Sequence, residues 1–249
     1  MNQFYLKLNA SKTQIIVFGP PNVLRQININ GTQLADGAEI RFISNVKNLG
    51  VRMDESLTME KHVMHLKSKS FQTIRKICKV RFLLTQDQLK TVVNSLVVSC
   101  LDYCNCLFYG INEYALHQLQ LIQNAAAKLV TGKYKHDHLE TDLNDLHWLE
   151  VKKRVLFKIG LLVYKALNGI APMYVQELIC YSHHGHTLQL LVPKVSSNFG
   201  MRAFSVIGPK LYNSFPSWVK QAENVGLFKK HLKTYLFNNM SPYDLQKFT

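Results

Sequence analysis

The sequence predicts an α+β fold in which short antiparallel N-terminal strands are followed by a mainly helical bundle and then by a set of C-terminal helices. Two patterns carry this. Up to Val51 the apolar residues come in short runs punctuated by Gly, Pro and Asn, which is strand-and-turn spacing. From Ser56 onward they recur every three to five positions, as on one face of a helix. The chain has 249 residues, of which 47% are hydrophobic and 18% charged. Such a composition is globular rather than disordered, collagen-like or low-complexity, and the length suits one large domain or two small ones.

Thr13–Phe18 reads as a first strand closed by Gly19-Pro20-Pro21, and Ile27–Gly31 as an alternating second strand ending at a turn. A third run, Ile40–Val51, is broken by Asn45 and ends at Gly50. Short strands alone bury little, so these predict the edge of a larger sheet. Ser56 is the capping residue of a first helix whose apolar stripe is Met59, Val63, Leu66, Phe71, Ile74 and Ile77. The next helix starts after Thr85, which with Gln88 fits a capping box, and runs through Leu89, Val92, Val93, Leu96 and Val97 toward Tyr103. Ala115–Thr131 is a third, stopped by Gly132.

Asp137–Glu150 carries acidic residues and no lysine or arginine, and reads as a linker with a short helix. Val151–Asn168 is a long helix ended by Gly169 and Pro172, and Met173–Tyr181 a short one. Ser182–Gly200 reads as a loop with at most a strand at Leu188–Val192. Phe204–Phe237 returns to helical spacing, interrupted by Pro209 and Pro216. The predicted regions are thus 1–54 for the strands, 55–135 for the first helical region, and 136–249 for the C-terminal helices with a loop at 182–203.

Lys and Arg outnumber Asp and Glu by 30 to 16, a formal net charge of +14 that favours a polyanionic partner. Nucleic acid is the first candidate and an anionic membrane surface the second. The charge is concentrated between Lys61 and Arg81, where Lys67, Lys69, Arg75, Lys76, Lys79 and Arg81 stand with no acidic residue among them. A helix so charged can neutralise several phosphates by counterion release, and it reads equally as a solvated face. Tyr103, Phe108 and Tyr109 could stack bases or fill the core. The most apolar stretches fall short of the roughly 18 residues a spanning helix needs, so no membrane segment is expected. Five cysteines without a signal peptide or an even framework suit a reducing, intracellular setting, nuclear or cytoplasmic.

Enzymatic signatures are lacking. Cys100, Cys104 and Cys106 fall short of four zinc ligands, although helical spacing would put Cys100 and Cys104 on one face. The groups Cys180 with His183, His184 and His186, and His62 with His65, fall short in the same way. No GxSxG, GxGxxG or GxxxxGK[ST] occurs. Asp36, Glu39, Asp54 and Asp102 are scattered, whereas two-metal nucleotidyl transfer needs clustered carboxylates. No cofactor is therefore expected.

Several segments resemble one family. Asn2–Thr13 followed by Phe18-Gly19 resembles the NxLxLNxxKTExxxFG segment of non-LTR (LINE-type) retrotransposon reverse transcriptases. Val46–Val51 with Asp54, Leu57 and His62 resembles that family's YLGVxxDxxLxxxxHI stretch. Ser99-x-Leu101-Asp102-Tyr103-Cys104-Asn105, Leu107–Gly110, Leu119–Ala127, Leu146-His147-Trp148-Leu149, Tyr164–Pro172, Arg202–Ser205 and Phe228–Phe237 continue in the family's order. The resemblance implies a palm edge, a helical thumb and a C-terminal region, with Lys12 similar in place to the motif D lysine. It also implies that the fingers, the catalytic aspartates and an endonuclease would lie before Met1, and that Mg²⁺ belongs only to the full-length parent enzyme, an RNA-directed DNA polymerase. Gln14 departs from the family's usual Glu. The resulting expectation is a truncated, catalytically silent fragment that binds RNA or an RNA/DNA duplex through Lys12, Lys67, Lys69, Arg75, Lys76, Lys79 and Arg81. The alternatives are a helical protein-interaction module derived from the element and a non-functional open reading frame.

Overall fold

The computed structural model describes residues 9, 12–26, 31–33, 39–132, 140–182 and 189–238. It is α+β: two small antiparallel pairs of strands precede a chain of helices. Two compact units are formed, Met1–Ser68 and Lys69–Thr249. Most of Asn2–Thr13, the expected strand over Ile27–Asn30, and Asp36, Asp137, His183, His184, His186 and Leu188 lie outside the described residues.

In the first unit a short helix α1 (Pro21–Leu24) precedes β1 (Gly31–Gln33) and β2 (Glu39–Arg41), which pair antiparallel with Thr32 opposite Ile40. A separate hairpin joins β3 (Asn45–Asn48) to β4 (Val51–Asp54), with Asn48 opposite Val51. The expected single larger sheet is therefore two two-stranded ones among the described residues. Thr13–Phe18 is not a strand; it contributes one bridge, Ile15 to Phe42, with the Ile43 amide donating to the Ile15 carbonyl at 2.9 Å. Asn45 opens β3 instead of breaking a run, and Gly50 turns the chain instead of ending it. Leu49 and Gly50 both have positive φ, 46° and 88°, the requirement of a two-residue type I′ hairpin turn.

Asp54, at the end of β4, secures the entry to the long helix α2 (Glu60–Val80). Its Oδ2 accepts from the Thr58 amide and its Oδ1 from the Met59 amide, each at 2.9 Å. The helix starts after this carboxylate-held turn and not directly after Ser56. His62, Val63, Leu66, Ser70, Ile74 and Ile77 are its buried positions. The division between the units falls inside α2.

The second unit is helical. Thr85 and Gln88 form the expected capping box at the start of α3 (Gln86–Val93), which continues through a π-helical turn at Asn94–Val98 into α4 (Ser99–Asp102). The wider turn shifts the buried stripe by one residue, from Leu89, Val93 and Val97 to Val98 and Leu101, and leaves Leu96 exposed. Asn112 accepts from the Ala115 amide at 2.7 Å to cap α5 (Glu113–Thr131), and Gly132 ends it at φ 79°. After α6 (Glu140–Asp145) comes α7 (Val151–Leu167), around which α5, α10 (Phe204–Ser214) and α12 (Val225–Asn238) pack. Gln120 of α5 accepts from the Val151 amide at 2.9 Å, and the fully buried Gln123 donates to the Leu149 carbonyl at 2.8 Å. These glutamines satisfy backbone groups at the N-terminus of α7, where Glu150 supplies no side-chain cap.

The chain closes with α8 (Met173–Gln176), α9 (Asn198–Met201), α10 (Phe204–Ser214), α11 (Ser217–Lys220) and α12 (Val225–Asn238). The helix expected over Met173–Tyr181 is one turn only, and Leu190 forms a single bridge to Tyr181 in place of a strand. α9 occupies part of the expected loop, capped by the Ser197 hydroxyl accepting from the Gly200 amide at 3.0 Å. Pro209 sits buried inside α10 without breaking it, whereas Pro216 does end the run and caps α11. Tyr164 stacks on Phe228 with centroids 4.1 Å apart, and its hydroxyl donates to the Ala222 carbonyl at 2.7 Å. α7 can approach α12 closely because residue 160 is glycine: a Cβ there would meet Phe215 at 3.0 Å and Leu232 at 3.1 Å.

Candidate nucleic-acid interface

Lys69, Arg75, Lys76 and Lys79 lie on α2 and are all exposed, and all four belong to the second unit. At about 100° per residue they fall within an arc of about 120°, turned away from Ser70, Ile74 and Ile77. They span about 15 Å of helix, at about 1.5 Å per residue. The helix holds this arrangement because its apolar and basic residues each keep to one face of a 3.6-residue period. No carboxylate pairs with these four among the described residues. Such a surface presents cationic charge that no described carboxylate neutralises.

The other expected site residues are not members of that arc. Lys67 belongs to the first unit and is half-buried at the flank of α2. Lys12 is exposed in a short turn of the first unit, where its amide donates to the Asn9 carbonyl at 3.1 Å. Arg81 sits on the 3₁₀ turn after α2 and reaches the C-terminal end of α5: its Nη2 would stand 2.7 Å from a Cβ on Gly132. A guanidinium there meets the negative pole of a helix dipole, which is a structural task.

Phe82, next to Arg81, was not singled out by composition, yet it is 82% exposed. The signal that would have found it is an aromatic placed directly after a run of cations, the pairing that base stacking with phosphate contact calls for. Of the aromatics considered for stacking, Phe108 is buried and Tyr109 half-buried, its phenol pushed up to about 12 by burial. Tyr103 remains exposed.

The remaining chemistry-bearing residues have structural partners. Asp102, an isolated carboxylate in sequence, holds Arg154 of α7 in a two-pronged ion pair, with Nε donating to Oδ1 at 2.8 Å and Nη2 to Oδ2. Cys104 has φ 52° and leaves the helix, so Cys100 and Cys104 do not share a helical face. All five cysteines are free thiols, and burial pushes the Cys106 thiol up. His62 is buried, and its Nδ1 accepts from the Arg52 amide at 3.3 Å. Burial, then the neighbouring His65 and Arg52, hold its imidazole below its ordinary value. Among the described residues no three His, Cys, Asp or Glu side chains gather as a metal site. No described helix is long and apolar enough to cross a membrane. No protein-family profile, curated protein or solved structure matches the chain.

Proposed function

We propose that the chain is a reverse-transcriptase-like fragment of LINE type that binds RNA or an RNA/DNA duplex without regard to sequence and lacks polymerase activity of its own. The observation that carries this is the exposed arc of Lys69, Arg75, Lys76 and Lys79 on α2, with no carboxylate partner among the described residues. Phosphates meeting such an arc release their condensed counterions, and that release supplies binding without sequence information. Four contacts correspond to a salt slope of about −3 to −4. Phe82 supplies a stacking face for an unpaired base next to the arc, a contact worth about 1–3 kcal/mol by alanine substitution. The segments similar to reverse transcriptases supply the class of partner.

Fluorescence anisotropy on a labelled RNA, across a salt series, tests the reading. Changing Lys69, Lys76 and Lys79 to Ala should weaken binding alike for all sequences and lower the slope by roughly two to three units. Helix content by circular dichroism should be unchanged, since Ala favours helix. Phe82→Ala should weaken binding to single strands more than to duplex. Unchanged affinity and slope in the triple variant would leave α2 a solvated face. Salt-insensitive binding to a protein, with none to RNA, would make the chain an interaction module instead.

A further inference from the structure

A cleft of about 460 Å³ opens in the second unit where α4 and the turn after it, the α6–α7 connection, α7 and α12 come together. Lysines 158, 229 and 233 and Arg154 line it, against the single carboxylate Asp102. Arg154 and Lys158 are four apart on α7, and Lys229 and Lys233 four apart on α12, so like charges adjoin along both helices as well as across the cleft. That spacing is unfavourable by itself. Asp102 is already taken by Arg154, and neither Lys158 nor Lys229 has a carboxylate partner among the described residues. Lys233, half-buried, is held below the ordinary lysine range by desolvation and then by Arg154 and Lys90.

A second observation concerns a neutral group. Asn105 lines the same cleft, is 3% exposed, and has an Oδ1 without a hydrogen-bond partner among the described residues. Its Nδ2 donates to Asp102 Oδ1 at 3.5 Å, a long bond that leaves the oxygen as the unsatisfied end. A buried acceptor with no donor costs free energy that a bound hydroxyl would recover. Trp148, Leu149, Phe157 and Leu161 form an apolar wall beside it. The volume lies within the range of small-molecule sites, about 300–1,000 Å³.

We infer that this cleft binds a phosphomonoester carried on a hydroxyl-bearing ring, with Lys158, Lys229 and Lys233 on the phosphate, Asn105 accepting from a hydroxyl, and the ring against Trp148 and Phe157. A sugar phosphate and a nucleoside monophosphate share this chemistry. The cleft does not depend on α2 for its cations, so the inference stands apart from the nucleic-acid reading.

Isothermal titration calorimetry on the whole chain tests it, with ribose 5-phosphate, adenosine monophosphate and inorganic phosphate as probes. At least one of the two esters should bind tenfold or more tightly than phosphate. Equal affinity of the two esters would identify the sugar phosphate as the ligand, and preference for the nucleotide would identify the nucleoside. A variant carrying Lys158→Ala and Lys229→Ala should lose tenfold or more in ester affinity. Its melting temperature should be equal to or above the parent's, because relief of charge crowding is not damage. The variant with Lys69, Lys76 and Lys79 changed to Ala should bind the ester as the parent does, even where RNA binding is lost. Equal weak binding of all three probes, or a double variant that binds as the parent does, would overturn the inference. So would loss of ester binding in the α2 variant. Binding of a short RNA that needs Lys158 and Lys229, with neither ester binding, would also overturn it and make the cleft a strand-binding surface.

Discussion

His62 can accept from the Arg52 amide only while its Nδ1 is unprotonated, so that bond fixes the ring proton on Nε2. Its folded-state pKa lies below the ordinary 6.5, chiefly through burial. The unfolded chain therefore binds more protons as pH falls through that range. The stability this residue contributes is complete above 6.5 and is lost progressively below it, until the lower folded value is passed. Urea midpoints taken between about pH 7.5 and pH 5.5 should fall in the parent, and the fall should be smaller in His62→Asn, whose amide oxygen replaces Nδ1 as acceptor. An equal fall in both proteins would show that other groups govern the acid limb. In sequence, His62 and His65 are only two ligands short of a metal site; the acceptor role is invisible there because Arg52, on a different element, defines it. Asp54 is similar. Its place after Val51 is evident in the chain, but that both its oxygens hold the Thr58 and Met59 amides follows from the backbone bending at Leu57 and Met59, where φ is positive.

The helices were legible because their signals are local. The Thr85–Gln88 box, the Gly132 and Gly169 stops and the apolar stripe of α2 each lie within a few residues of what they determine. The strands were less legible, since pairing joins segments far apart: Thr13–Phe18 is as apolar as a strand, yet only Ile15 finds a partner, Phe42. Two misreadings have the same origin in backbone geometry. Cys104 leaves the helix and the π-turn at Asn94–Val98 adds one residue to a revolution, and neither changes the composition on which periodicity rests. Pro209 was read as an interruption because its missing amide argues against helix, but the buried contacts of α10 outweigh one lost bond. The packing of α7 on α12 gives a test at this scale. Gly160→Ala adds helix propensity of about 1 kcal/mol, but its Cβ would press on the buried Phe215 and Leu232. Overpacking of a closed core costs about 1–3 kcal/mol. The variant should be less stable by up to about 2 kcal/mol in urea unfolding, and a gain in stability would show that Phe215 has room to move.

For the molecule as a whole, the sequence conveyed the net charge better than the placement of the cations that make it up. The formal +14 is evident from composition, whereas the half-burial of Lys67 and the approach of Arg81 to Gly132, 51 positions away, are not. The cleft beside Arg154 escaped notice because its cations come from α7 and α12, each unremarkable alone. Among the described residues the carboxylates form no group of three, Asp54 holding a turn and Asp102 an arginine. The purified chain should therefore give no primer extension on a primed RNA template with Mg²⁺ or Mn²⁺. Extension abolished by changing one carboxylate to its amide would refute this. One consequence follows from α2 being common to both compact units. A helix is expensive to nucleate and cheap to extend, and over its 21 residues it runs about 30 Å. Parting the chain at Ser68–Lys69 would make Lys69 a new helix N-terminus, where the dipole repels cations, and would remove the Asp54-held turn that starts the winding. Each unit taken alone would inherit a half-helix with one newly cut end.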